Sequence, residues 1–434
     1  MICRFECLLR GGLAALFVAA STIAAADADV APCQRFDQLR PRGTEDPAIS
    51  MCETLSPDWG GVRDELTDNG VLIAGGTSGG GTYDLLDHRE HPQLYIGQDP
   101  TARLVSYLYA TYELNRVGFT DSSQLVFHAD YQMYSYSPES PSGLALDSLY
   151  INQPFNDGHL QLQYGYEELQ NQFYGFSLGT NSTTSPVGIS SSIPFEVGLI
   201  PNKSAPELNL RWAPGESGVY DRFGVTRGES PDGDQADWDG NKALGLSWHV
   251  PGAKALFINE LGYQTDSTPQ TNMTWLRQGV IFNETHYATF RDGEMSRNNY
   301  AYYLIGDFQL TQTDAMRPFR GLYINAKVDY APPDRNVYSS DAGITFYLLG
   351  PADRAYDVLS LNYTYSGLSR LFQYSQNALG LSAADFSSTT AAEYVFRLKR
   401  GIYFSNQLSY TVNPIPEPRR SPALNWKSSI SFSY

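Results

Sequence analysis

Along most of the chain, apolar and polar residues trade places at every step. The C-terminal stretch 424–434 sets the pattern. Leu424, Trp426, Ile430, Phe432 and Tyr434 share one parity with Ser428, while Asn425, Lys427, Ser429, Ser431 and Ser433 occupy the other. A period of two marks a β-strand, because successive side chains leave opposite faces. The alternation recurs at 103–114, where Leu104, Leu108, Ala110, Tyr112 and Leu114 oppose Arg103, Tyr107, Tyr109, Thr111 and Glu113. At 124–136, Leu125, Phe127, Ala129, Tyr131 and Met133 oppose His128, Asp130, Gln132 and Tyr134. At 159–167, Leu160, Leu162, Tyr164 and Tyr166 oppose Gln161, Gln163 and Glu167. Further strands are expected at 321–330 and 393–399, and near 71–84, 207–212, 219–226, 244–250, 255–264, 300–311, 344–349, 358–366 and 402–412. Short apolar runs between 173 and 200 are ambiguous, so the pattern predicts about fourteen to eighteen strands. Tight connections at 115–118 and 399–401 contrast with long polar ones at 228–241, 265–299 and 368–390.

The first seventy residues depart from this period. Arg4 and Arg10, an apolar run at 13–23 and Ala24-Ala25-Ala26 form a secretory signal peptide, with cleavage expected after Ala26. Residues 27–70 then read as a periplasmic leader, Pro-rich and aperiodic to Ser56, and residues 71–434 as the strand-built unit. Cys3 and Cys7 leave with the signal peptide. Cys33 and Cys52 remain; an oxidising compartment favours a disulfide between them, and their spacing leaves two free thiols open. The stretch SPDWGGVRDELTDNG (56–70) predicts a short amphipathic helix capped by Ser56 or Asp58, with Trp59, Val62 and Leu66 on one stripe. Gly60 and Gly61 inside it are costly for a helix, and close packing against another backbone would justify them.

Three features select the solvent outside the strands. Many strands run about ten to fourteen residues, above the soluble mode of about five or six and enough to cross hydrocarbon when tilted. Tyr112, Tyr330, Tyr410, Trp426 and Tyr434 stand near the ends of apolar faces, where rings with a polar tip suit a membrane interface. The opposite faces carry Arg, Lys, Asp, Glu, Gln and Asn, and unpaired charges in a dry core cost several kcal/mol each. Water inside and lipid outside then require a closed sheet. The expected fold is an all-β transmembrane antiparallel barrel of about sixteen strands with a short N-terminal periplasmic helix, in the outer membrane of a Gram-negative cell. Composition agrees: aromatic residues are 13%, with 30 Tyr and 38 Gly, and charged residues only 18%. The net charge of -17 argues against a nucleic-acid partner, which needs a basic footprint.

Trp59, Gly60, Gly61, Arg63, Leu66, Gly70 and Val71 resemble the opening of the carbohydrate-selective porin family (OprB type), and Val412-Asn413-Pro414 with the strand ending at Phe432 and Tyr434 resembles its close. The resemblance implies a sixteen-stranded porin passing glucose and similar sugars by diffusion, without a cofactor. A strand with an aromatic end also resembles the signal read by the barrel assembly machinery. Assembly as a homotrimer stays open, as does a general cation-leaning pore.

A sugar path needs polar groups to exchange hydrogen bonds with hydroxyls and aromatic rings to stack on a pyranose, neither binding tightly. Arg103, Tyr107, Tyr109, Glu113, His128, Asp130, Gln161, Gln163 and Glu167 occupy the polar parity and are the expected lumen residues, with Arg103 and Asp130 as a constriction pair. Each could instead line a wide solvated wall. The acidic run with Asp232, Asp234, Asp237 and Asp239 lacks the spacing of a calcium loop. His88 and His91 lack a third zinc ligand, so no metal site is expected. An enzymatic barrel would need a catalytic His–nucleophile pairing, and no nucleophile-elbow pattern occurs. An adhesion or secretion barrel would need a passenger or plug domain larger than this leader.

Overall fold

The computed structural model describes residues 33–45, 48–174, 192–199, 203–241 and 245–434. The expected signal peptide and most of the ambiguous runs at 173–200 lie outside them. Among the described residues, sixteen strands close into one barrel in which each strand pairs antiparallel with its neighbours in sequence and the first pairs with the last. They are β1 Val71–Asp84, β2 Thr101–Glu113, β3 Gln124–Tyr134, β4 Gly143–Phe155, β5 Leu160–Glu167, β6 Ala205–Trp212, β7 Val219–Arg227 and β8 Ala255–Thr265. The second half comprises β9 Thr274–Asn283, β10 Asn299–Gln309, β11 Gly321–Tyr330, β12 Tyr338–Leu349, β13 Val358–Leu368, β14 Phe386–Lys399, β15 Ile402–Val412 and β16 Ala423–Ser433. The start of β1 and the end of β16 lie at one end, with the shorter connections such as 156–159 and 400–401; β5 and β7 finish at the other.

The terminal aromatic residue is held by backbone pairing. Tyr434 N–H donates to the Gly75 carbonyl and Gly75 N–H to the Tyr434 carbonyl, both at 2.9 Å. The parity rule sorts the faces. In β11, Leu322, Ile324, Ala326, Val328 and Tyr330 point outward, with Val328 and Tyr330 exposed, while Tyr323, Asn325, Lys327 and Asp329 are buried inside. Outward rings occur towards both rims, Trp212 and Tyr263 at the end where β1 starts and Tyr302 and Tyr330 at the other.

Some elements differ from the sequence expectation. The helix near 56–70 is shorter, covering Val62–Asp68. Trp59, Gly60 and Gly61 precede it with φ of 52°, 67° and 93°. A Cβ on either glycine would meet nothing within 4 Å, so backbone conformation and not close packing explains the pair. The run 265–299 is not one loop, because it contains β9. No strand forms at 245–250, which belongs to the connection between β7 and β8.

The interior is not uniformly wet. Part of the described leader packs against the inner wall at one mouth of the barrel, while Leu55 and Val62 stay exposed. Phe36 of helix α1 (Gln34–Asp37), Leu39, Ile49 and Met51 join Leu72, Tyr109, Tyr347, Val358 and Tyr403 in one apolar cluster. Full burial of such side chains contributes about 1.5–3 kcal/mol each. The Asp37 carboxylate accepts from Ser50 Oγ at 2.6 Å and Met51 N–H at 2.7 Å, and a Cys33–Cys52 disulfide closes the same hairpin. At the far side, Leu169, Phe173 and Tyr174 fold inward with Ile193, Val197 and Leu199. They cover Leu256, Ile258, Ile281, Ala301 and Ile305 on the inner wall of β8 to β10.

Candidate functional site

Between the leader and this inward segment, the barrel keeps polar space. A cavity of about 520 Å³ is bordered by leader residues Gly43 to Glu45 and by side chains of β5 to β9 and β11. Alternation places Arg211 of β6, Tyr220 and Arg222 of β7, and Trp275 of β9 on the inner face, where antiparallel register gathers them. The Arg277 guanidinium lies 3.8 Å from the Trp275 ring centre, and that of Arg211 4.7 Å from the Tyr220 ring. Trp275 Nε1 donates to the Tyr220 hydroxyl at 2.9 Å. Tyr220 and Tyr303 each donate to a different oxygen of the buried Glu260, both at 2.8 Å. The cluster therefore presents fixed cationic groups and ring faces to one space.

Glu45 joins the leader to this wall. Its carboxylate lies 2.8 Å from Arg222 and 3.1 Å from Arg277, and Arg277 also pairs with Asp307 at 3.2 Å. Charged groups in a poorly hydrated interior need such partners. The ladder continues around the wall. Lys327 of β11 contacts Asp329 at 2.7 Å and Asp341 of β12 at 2.9 Å, and Asp341 accepts from Ser366 of β13 at 3.0 Å.

The expected lumen residues all lie on the inner parity of β2, β3 and β5, in differing surroundings. Arg103 and Asp130 border the same cavity of about 370 Å³, but no ion pair joins them among the described residues. Beside them Glu139, in the β3–β4 connection, has its carboxyl raised above the usual range by burial, against the pull of Arg103 and Lys427. Tyr107 and His128 meet edge to face at 5.6 Å and border a cavity of about 260 Å³ with Asp130, Glu167 and Asp147, the ion-pair partner of His128. Tyr109 is covered by the leader cluster. Glu113 pairs with Arg42 of the leader at 3.0 Å. Gln161 donates to Asn152 at 2.6 Å, Gln163 is buried beside Gly43, and Glu167 accepts from Asn171 at 2.8 Å.

The β6 to β9 cluster and Glu45 are absent from that expected set. Arg211 and Arg222 sit in expected strands, and the stretch WLR at 275–277 carries the signal of a ring and a cation two residues apart on one face. The run 265–299, taken as a loop, hid it.

Other charged motifs serve packing. Asp237, in the short helix Asp234–Gly240, pairs with Arg227 at 2.7 Å and accepts from Ser230 N–H. In the same connection Glu229 is pushed up to about 10, by burial first and then by the neighbouring Asp234 and Asp237. His88 and His91 diverge, towards Asp84 at 3.0 Å and Asp99 at 3.4 Å. Arg63 is fully buried and fixes the turn before β1: it donates to the carbonyls of Ser56, Pro57 and Ile73 and stacks 4.2 Å from the Trp59 ring centre.

A family model described as carbohydrate-selective porin, OprB family, matches residues 111–423. Among solved structures, the high-pH form of Pseudomonas putida OprB aligns with a TM-score of 0.71 at 14% identity, covering 88% of this chain and 98% of that one. The low-pH form of Pseudomonas putida OprB gives 0.54 at 13% identity, with coverage of 88% and 98%. An anion-selective porin from Comamonas acidovorans gives 0.50 at 10% identity, with coverage of 84% and 99%. At such identities the likeness is one of fold. No curated protein matches the chain.

Proposed function

We propose, for a chain that belongs to the carbohydrate-selective porin, OprB family, that sugars move along the polar inner wall from the cavity at Arg211 and Trp275 towards the one beside Arg103. The protein is an outer-membrane porin through which carbohydrates diffuse, and not an enzyme. One observation carries the path: guanidinium groups and ring faces border the same cavity of about 520 Å³. A sugar offers hydroxyls to the first and an apolar face to the second, and conduction requires that it be released as well as bound. Arg103, Asp130, Gln161 and the other inner-parity residues named above extend this wall, while Tyr109 and Glu113 hold the leader.

The same proposal covers processing and assembly. Residues 1–26 leave as a signal peptide, 27–70 form the leader, and 71–434 form the barrel in a Gram-negative outer membrane. The strand ending in Phe432 and Tyr434 is the segment offered to the assembly machinery, and the outward apolar band meets lipid. Three copies would pack through the outer face of β1, where Gly75, Thr77, Gly79 and Gly81 project little; chemical cross-linking in native membranes tests that arrangement.

Liposomes holding the purified protein should swell faster in isotonic glucose than in a disaccharide. Absence of both swelling and single-channel current would overturn the pore. Equal rates for sugars and amino acids of similar size would remove the sugar preference.

A further inference from the structure

Four charged side chains border the cavity of about 520 Å³: Arg211 and Arg222 against Glu45 and Asp266. The two signs balance. Of these four, Glu45 alone comes from the leader and not from the barrel wall or its turns, and it bridges strands β7 and β9 by contacting both Arg222 and Arg277. The remaining nearby acids are committed elsewhere. Glu260 accepts two tyrosine hydroxyls and Asp307 pairs with Arg277 behind the cavity surface. Glu207 lies close enough to Arg222 to interact with it through its charge, but does not border the cavity.

We propose that Glu45 is a specificity-determining residue: by neutralising Arg222 and Arg277 from inside the pore, it tunes an arginine-lined passage to uncharged sugars and keeps it from becoming a site for sugar acids. This rests on the sugar-porin assignment and deepens it. Two guanidinium groups converging on a confined space favour a carboxylate strongly, because low-dielectric walls focus their field and their geometry suits bidentate binding. A solute bound that way leaves slowly, and conduction requires release. Glu45 fills the position such a carboxylate would take. With Glu45 neutral, the cavity border would hold two cations against one anion.

The test uses the full mature chain in planar bilayers and liposomes, comparing wild type with Glu45→Gln, Arg222→Gln and the double variant. Folding of each is checked by its heat-dependent mobility on gels. Expected for Glu45→Gln are a reversal potential shifted towards the anion in a potassium chloride gradient, and swelling in sodium glucuronate that rises several-fold relative to glucose, or a current blocked by glucuronate. Arg222→Gln should shift the reversal potential in the opposite direction, and the double variant should return it towards wild type. Because Arg222→Gln reads the same pair from the other side, misfolding of Glu45→Gln alone leaves the proposal falsifiable. Wild type that conducts glucose, with both single variants unchanged in ion preference, would overturn the role of Glu45 while leaving the porin intact. Wild type that conducts nothing would overturn both.

Discussion

Tyr303 lies across Gly279 because the two residues face each other in the β9–β10 ladder. A Cβ on Gly279 would stand 2.1 Å from that ring, and one on Gly262 2.1 Å from the ring of Tyr220, its own cross-strand partner. The glycines let both rings lie flat so that both hydroxyls reach Glu260. Gly279→Ala should displace Tyr303 and lower stability by about 1–3 kcal/mol, as overpacking does. The loss would appear as a lower temperature for the heat-dependent gel shift. Read as sequence, a glycine inside a strand signals only weakness; its ring partner lies 24 positions away in the chain and is set by register. Glu53 of the leader supplies a pH dependence. Burial raises its carboxyl above the usual 4.5, with Arg397 and the Tyr403 hydroxyl opposing the shift. A raised acid binds its proton more readily in the folded state. Its contribution is therefore full below about 4.5 and is lost as pH rises through the folded value. Glu53→Gln should flatten the fall in leader protection across that window, measured by limited proteolysis at a series of pH values.

At the scale of elements, the leader and the segment following β5 decide how much of the barrel is open. The Cys33–Cys52 bond joins residues 19 apart and closes the hairpin that carries Glu45. Constraining the unfolded chain in this way contributes about 2–4 kcal/mol. Cys33→Ser with Cys52→Ser should loosen the leader, seen as larger current fluctuations and faster proteolysis near 45–50 with the barrel intact; an unchanged trace would mean that the buried apolar residues hold the leader alone. The same elements explain what the period of two missed. Strand β9 has Leu276, Val280 and Phe282 outward, and Ile281 inward beneath Val197 and Leu199. With apolar residues on both faces, alternation blurs. Strand β11, whose inner face is Asn325, Lys327 and Asp329, alternates cleanly and was legible.

For the whole molecule, closure is the property on which everything else depends. Removing Phe432 to Tyr434 deletes the Gly75–Tyr434 hydrogen bonds and the pairings of Thr77 with Phe432 and Gly76 with Ser433, leaving part of β1 unpaired against lipid. That truncation should yield protease-sensitive chain without a heat-modifiable band, whereas a folded barrel would show that closure tolerates a partial edge. Alternation along the sequence, read together with strand length, rings near strand ends and the charge on the opposite faces, was enough to specify a membrane barrel with greasy and wet faces, since the period is local and the solvent on each face follows from transfer energies. Tertiary structure alone decided that the leader enters the lumen, that Glu45 meets Arg222 and Arg277, and that rings settle over glycines. Those contacts join residues as many as 350 positions apart, and burial of the leader's apolar residues together with sheet register, neither encoded in any local period, brings them together.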